Sequence, residues 1–349
     1  MSHAESQILY IFFDILLPLA VGYILKCKSV ISSDQCNGLI RFNIRVIMTI
    51  LTLLSFWILP LRPELVVLPT FAFTNALVPL GIVLLLGLQR HFTNLNDRGS
   101  YLITTLPSNL GALGGLCSYL LYGELAFAYV QIVSIFQNLV MFFILFPMGF
   151  YYQNKLSHPE RNVSFRQMNW KEVIFNWNQI SVLGIATGIV LYVVGIPRPP
   201  ILGTAFQYLI HISAWTALVP IGYLIDFSSL GKYYKVTLDF IPIKLLITPA
   251  VLYVVSTWFF SDPVLLGTLI IMMGSPCAIN ALVTTRLYGL NVNLSMAPFI
   301  TTTLIYVLIL YPAFMYLLRI GIYHLNNRNS TKRRYVPLED VTSFSYCSM

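Results

Sequence analysis

Two short stretches of the chain hold the residues best suited to chemistry. Residues 107–115, PSNLGALGG, and residues 274–280, GSPCAIN, each place proline, glycine, serine and asparagine inside a long apolar run. Proline has no backbone N–H and cannot continue a helical ladder. Each stretch therefore frees backbone groups at a depth where lipid offers them no partner. A half-helix that restarts after such a break presents unpaired N–H groups and the positive end of its dipole, which suits an anion. Two such ends facing one another would attract a carboxylate without a fixed cation. The residues assigned to this site are Ser108, Asn109 and Gly111 from the first stretch and Ser275, Pro276 and Asn280 from the second. Both asparagine amides can donate and accept, so they can satisfy freed backbone or orient a ligand. A single glycine pair such as Gly111 and Gly115 is more often a packing surface. The recurrence of a break with an asparagine in each is what favours function.

The elements that must position these residues are membrane helices. Of 349 residues, 57% are hydrophobic and 10% charged, against roughly 25% charged in an ordinary soluble domain. Apolar stretches long enough to cross about 30 Å of hydrocarbon recur along the chain, giving an all-α polytopic membrane protein with ten transmembrane helices. The expected spans are 7–26, 34–59, 65–88, 99–122, 126–151, 173–195, 200–226, 238–260, 264–288 and 294–319. The first lacks a basic leader and a small-residue cleavage site, so it reads as a retained helix. The cysteines form no CxxC pair and have no histidine at ligand spacing, so no metal site, disulfide framework or cofactor is expected. The net charge of +8 gathers at span ends rather than on a soluble basic face, which speaks for lipid headgroups as partners and against nucleic acid.

Loop charge sets the orientation. With the N-terminus outside, the inner loops collect Lys26, Lys28, Arg90, Arg98, Lys155, Arg161, Arg166, Lys171, Lys232 and Lys235, and the outer loops only Arg62 and Arg198. The basic run NRNSTKRR in the tail dissents.

A repeat underlies the pattern. Leu121-Tyr122-Gly123 recurs as Leu287-Tyr288-Gly289, and Leu17 and Gly22 correspond to Leu183 and Gly188, all 166 positions apart; LFP ending at Pro147 recurs as LYP ending at Pro312 after 165. Each half holds five spans. Five is odd, so the second half is inverted, and matching interruptions in inverted halves point to a midplane site. The divisions are 1–152 for the first repeat, 153–172 for a cytoplasmic loop, 173–321 for the second repeat and 322–349 for a polar tail.

Three other polar residues stand inside spans. Asp14 in IFFDILLPLAVG is an expensive carboxylate, at a depth similar to Arg45 in the second span, and the two are expected to form an ion pair within the scaffold. Its alternative role is proton coupling. His211 in QYLIHISAW reads first as a packed, satisfied histidine and second as a titrating group. Gln131, Gln137, Asn138 and Thr301 to Thr303 read as interhelical hydrogen-bonding residues.

The chain resembles the auxin efflux carrier family over nearly its whole length. NLGALGG followed by LYG is similar to the family's Asn-x-Gly-x-x-Gly stretch, and SPCAINALVTTRLYGLNVNLSMAPFITTTLIYVLILYP to its Pro-Ala, Tyr-Gly and Leu-x-Pro succession. ISVLGIATGIVLYVVGIPRPPILGTAFQYLIHISAWTALVPIGYLI resembles its passage through helices six and seven. One position departs: members commonly carry proline seven residues after the first asparagine, and here it is Leu116. The resemblance implies two inverted five-helix repeats, a scaffold of helices one, two, six and seven, and a moving bundle whose crossed, broken helices four and nine hold the ligand.

The expected function is secondary transport of small organic anions, malate-like acids or auxin-like indole acids, by an elevator mechanism in a plasma or bacterial inner membrane. A homodimer through the scaffold is the expected assembly. The competing classes are a carboxylate sensor that keeps the fold, and an intramembrane transferase. The second lacks any local motif joining Asp14 and His211, and no enzyme activity is expected.

Overall fold

The computed structural model describes residue 10, residues 12–158, residue 160 and residues 180–318, and among these the secondary structure is helical, without a strand. We number the helices α1 (Leu17–Cys27, preceded by a π-helical turn Phe12–Leu16), α2 (Ser33–Trp57), α3 (Pro63–Leu85), α4 (Leu95–Thr105), α5 (Leu110–Ser157), α6 (Ser181–Val193), α7 (Pro200–Leu224), α8 (Gly231–Ser256), α9 (Pro263–Met273), α10 (Ile279–Leu287) and α11 (Val292–Leu318). Six of them, α2, α3, α5, α7, α8 and α11, are long and apolar enough to cross a bilayer. The protein is thus an all-α integral membrane protein. Within α5 two helical limbs meet at a kinked turn at Gly123, whose φ of 72° and ψ of −160° are open to glycine and costly for other residues. The expected fourth span is α4 plus the limb of α5 before that turn, and the expected ninth is α9 plus α10. Helix α5 continues to Ser157, so residues 153–157 of the expected loop are helical. The rest of that loop, apart from residues 158 and 160, and everything after residue 318, including the basic tail, lie outside the described residues.

In lipid the hydrophobic effect cannot hold helices together, so close approach and hydrogen bonds must. Glycines supply the approach. A side chain at Gly22 of α1 would strike the Val219 carbonyl of α7, and one at Gly222 would strike Leu19. Gly184 and Gly188 press α6 in the same way on Thr49 and Leu53 of α2. The connections gather in two sets. In one, Lys26 donates to the Ile225 carbonyl at 2.7 Å, Tyr23 packs on Phe227, and Asn291 donates to Asp97 at 2.6 Å and to Tyr233 at 2.8 Å. In the other, Trp57 donates to the Ile196 carbonyl at 2.7 Å, Arg62 meets Asp262 at 3.4 Å, and Arg198 clasps Glu124 with contacts of 2.6 and 3.3 Å. Both arginines of the second set are matched by acids.

Candidate functional site at the crossing of two broken helices

The two sequence breaks meet. Helix α4 stops at Thr105 and α9 at Met273, and the segments that follow lie antiparallel, with Ser108 opposite Cys277. Asn109 N–H donates to the Pro276 carbonyl at 2.9 Å, and Ala278 N–H donates to the Pro107 carbonyl at 3.1 Å. Each proline breaks its own helix because it cannot donate, and its carbonyl then accepts the N–H freed by the other break. This reciprocity is why a membrane interior tolerates both interruptions.

Side chains close the remaining valences. Gln137 Nε2 donates to the Ser108 carbonyl at 2.7 Å, Gln131 Nε2 to the Gly111 carbonyl at 3.4 Å, and Cys277 N–H to Thr302 Oγ1 at 3.1 Å. Tyr306 O–H reaches the Ile271 carbonyl at 3.0 Å, near the end of α9. Of the residues expected to join helices, Gln131, Gln137 and Thr302 serve the breaks, whereas the buried Thr301 and Thr303 hydroxyls have no hydrogen-bond partner among the described residues. Beyond the pairing, α5 opens with a π-helical turn, Leu110–Gly114, and α10 starts at Ile279. Both helices have their N-terminal ends at the crossing, where their dipoles favour an anion, while the C-terminal ends of α4 and α9 bring negative dipole ends to the opposite side of each break.

The assigned residues divide. Ser108, Asn109, Ser275 and Pro276 are at the crossing or beside it. Asn109 is only 8% exposed, and its carboxamide has no hydrogen-bond partner among the described residues. Ser275 is fully buried, packed so closely on Gly114 that an added Cβ there would lie 2.8 Å from its Oγ. Gly111 lies one residue into α5 and lines a narrow crevice of about 10 Å³ between α5 and residues Met48, Ile210, Ser213 and Ala217 of α2 and α7. Leu116 continues α5 as helix and borders the same crevice.

Asn280 is not the counterpart of Asn109. The hydrogen bonds join Asn109 to Pro276 and Ala278 to Pro107, so Ala278 plays at the second break the part that Asn109 plays at the first, whereas Asn280 is the second residue of α10 and donates to Met141 Sδ at 3.1 Å. The expected Asp14–Arg45 pair is also replaced. Asp14 lies 2.6 Å from His211 Nδ1, and among the described residues no ion pair joins it to Arg45. Arg45 is carried by the π-helical turn Asn43–Ile47, and its Nε has no partner there.

Sequence reasoning missed Lys244. It lies in the π-helical turn Ile241–Ile247 of α8, is 1% exposed, and points its Nζ at the crossing: 2.9 Å to Ser108 Oγ and 3.2 Å to the Pro107 carbonyl. The signal was present in IPIKLLI, one lysine enclosed by apolar residues in a spanning segment, which marks a functional position by default.

Comparison of the chain with models of known protein families and with curated proteins gives no match.

Proposed function

We propose that the chain is a secondary carrier of small organic anions, not an enzyme, and that the ligand binds where the two broken helices cross. The observation that carries this reading is the Asn109 carboxamide, buried and unpartnered at a crossing toward which two helix N-termini converge. A carboxylate supplies acceptors for that amide and for the helix ends.

The architecture we infer is ten crossings in two inverted repeats, as in the auxin efflux carrier family. Several equivalences support it. Gly22 and Gly188, matched by the sequence repeat, both press on the backbone of a neighbouring helix. The π-helical turns Met141–Leu145 and Tyr306–Leu310 stand 165 positions apart, the same spacing as LFP and LYP. The two sets of loop contacts alternate along the chain, as odd and even connections would. In this reading α1, α2, α6 and α7 form the scaffold and offer the dimer surface, and the crossing moves past them as an elevator. The N-terminus is outside, because the end with acid-matched Arg62 and Arg198 carries little free positive charge.

Counterflow in proteoliposomes tests the function. Labelled malate, malonate, acetate and indole-3-acetate are offered to the wild type and to Asn109→Ala. Saturable exchange of one acid, lost in the variant, is the expected result. Folded protein that exchanges none of the four rejects the carrier reading, and ligand-induced stabilisation without exchange would replace it with a sensor.

A further inference from the structure

Carbonyl groups at unwound helix breaks, together with the C-terminal ends of half-helices, are the groups that hold coupling cations in carriers of this general plan. At the first break those acceptors are taken. The Pro107 carbonyl and Ser108 Oγ, just past the C-terminal end of α4, both accept from Lys244 Nζ. A cation there is favoured by the negative end of the α4 dipole. Among the described residues no carboxylate pairs with Lys244, so this charge is not half of a structural ion pair, although burying one without its partner is costly. An ammonium has three N–H donors. Two are used, and the third finds no acceptor among the described residues.

The two breaks are unequal in this respect. At the second, Cys277 N–H is satisfied by Thr302, and Lys244 reaches only Pro107 and Ser108. One tethered cation thus stands at a crossing whose helix N-termini favour an anion.

We propose that Lys244 is a resident cation of the crossing, its ammonium filling the position a coupling metal ion would take and offering its free N–H to the anionic ligand. Anion binding then needs no sodium or potassium. For the anion this rests on the carrier reading above; for the cation it stands separately.

The full-length chain in detergent, and the same protein in proteoliposomes, provide two independent readouts. Melting temperatures are measured in choline, sodium and propylammonium chloride for the wild type, Lys244→Ala, Lys244→Met and Lys244→Arg. The wild type and Lys244→Arg are expected to melt at the same temperature in all three salts. Lys244→Ala should melt lower in choline and recover in propylammonium, which can re-enter the vacated space, while Lys244→Met, which fills that space without charge, should not recover. Malonate counterflow by the wild type should be the same in choline and sodium, and Lys244→Met should lose about tenfold or more in apparent affinity, as expected for a hydrogen bond to a charged group.

A wild type stabilised by sodium, or exchanging malonate only in sodium, overturns the inference and leaves the carrier reading intact. So does a Lys244→Ala variant as stable as the wild type in choline or unrescued by propylammonium; if that variant does not fold, Lys244→Met with undiminished malonate affinity overturns it instead. No carboxylate exchange by the wild type, with propylammonium rescue of Lys244→Ala, rejects the carrier reading and sustains the resident cation.

Discussion

Asp14 Oδ2 lies 2.6 Å from Nδ1 of His211, with the ring of Tyr10 stacked on the histidine at 5.0 Å. The acid sits in the π-helical turn before α1 and the histidine on α7, so the contact bridges the same two helices that Gly22 and Gly222 bring together. Asp14 and His211 should therefore behave as a unit. In a double-mutant cycle with Asp14→Asn and His211→Gln, thermal unfolding in detergent should show a coupling of about 0.5–3 kcal/mol. Additive single effects would mean that the short contact contributes nothing specific.

The two asparagines should not be equivalent. Asn109→Ala removes an unpartnered amide at the crossing, so we expect ligand affinity to fall about tenfold or more with little change in melting temperature. Asn280→Ala removes only a weak amide–thioether contact one residue into α10 and should leave affinity within about threefold, well under 1.4 kcal/mol. Isothermal titration with an acid that counterflow identifies measures both. Equal losses would restore the two as a matched pair.

Close helix contact makes a sharp stability prediction. Gly22→Ala and Gly222→Ala each drive a methyl group into the backbone of the facing helix, and overpacking of this kind costs about 1–3 kcal/mol. Backbone atoms cannot rotate aside, so the upper part of that range is expected. Gly38, in the helical segment Ser33–Phe42 with nothing within 4 Å of an added Cβ, is the control. Gly38→Ala should be neutral or gain about 0.4–1 kcal/mol by stiffening the unfolded chain.

Asp226 gives a pH dependence with a defined sign. It caps the helical segment Phe227–Phe240, accepting from Ser228 N–H at 3.0 Å and Ser228 Oγ at 2.8 Å. Those hydrogen bonds, the side-chain one foremost, hold its carboxyl below the ordinary value of 3.8. A depressed folded value means that the contribution is complete above 3.8 and is lost as pH falls through the lower folded value. The melting-temperature gap between wild type and Asp226→Ala should thus be constant near neutrality and close in acid. The gap between wild type and Asp226→Asn, which keeps a capping oxygen without titrating, should instead move in acid as the wild type alone loses its charged cap. A gap to the alanine variant that persists unchanged in acid would remove Asp226 from the account.

Much of this was legible in the sequence. Pro107 and Pro276 announced the breaks because a missing N–H in lipid has few remedies, whereas the glycines at 22 and 188 were visible as a repeat but not as the close helix contacts they make. The partner of Asn109 was not legible. The flanking motifs repeat after 165 or 166 positions, which carries Asn109 to Gly274 or Ser275, whereas the equivalent N–H at the second break belongs to Ala278, 169 positions on; Asn280 was matched to Asn109 by residue type alone. Depth alone suggested Arg45 for Asp14, since counting residues along two helices says nothing about their rotation. Lys244 was visible as a letter but not as a neighbour of Ser108, because the fold supplies that contact across 136 positions.

The reciprocal bonds between the two breaks also set a timetable for biogenesis. Pro107 and Asn109 are synthesised well before Pro276 and Ala278, and at ~5–20 residues per second the gap lasts roughly ten to thirty seconds. Through that interval the first half has an open acceptor and an open donor inside the membrane, with their eventual partners not yet made. Nascent chains arrested before residue 276 should therefore be the form most dependent on insertion chaperones and most exposed to quality-control proteolysis. Completion of the second break satisfies both groups, so the two breaks mature together.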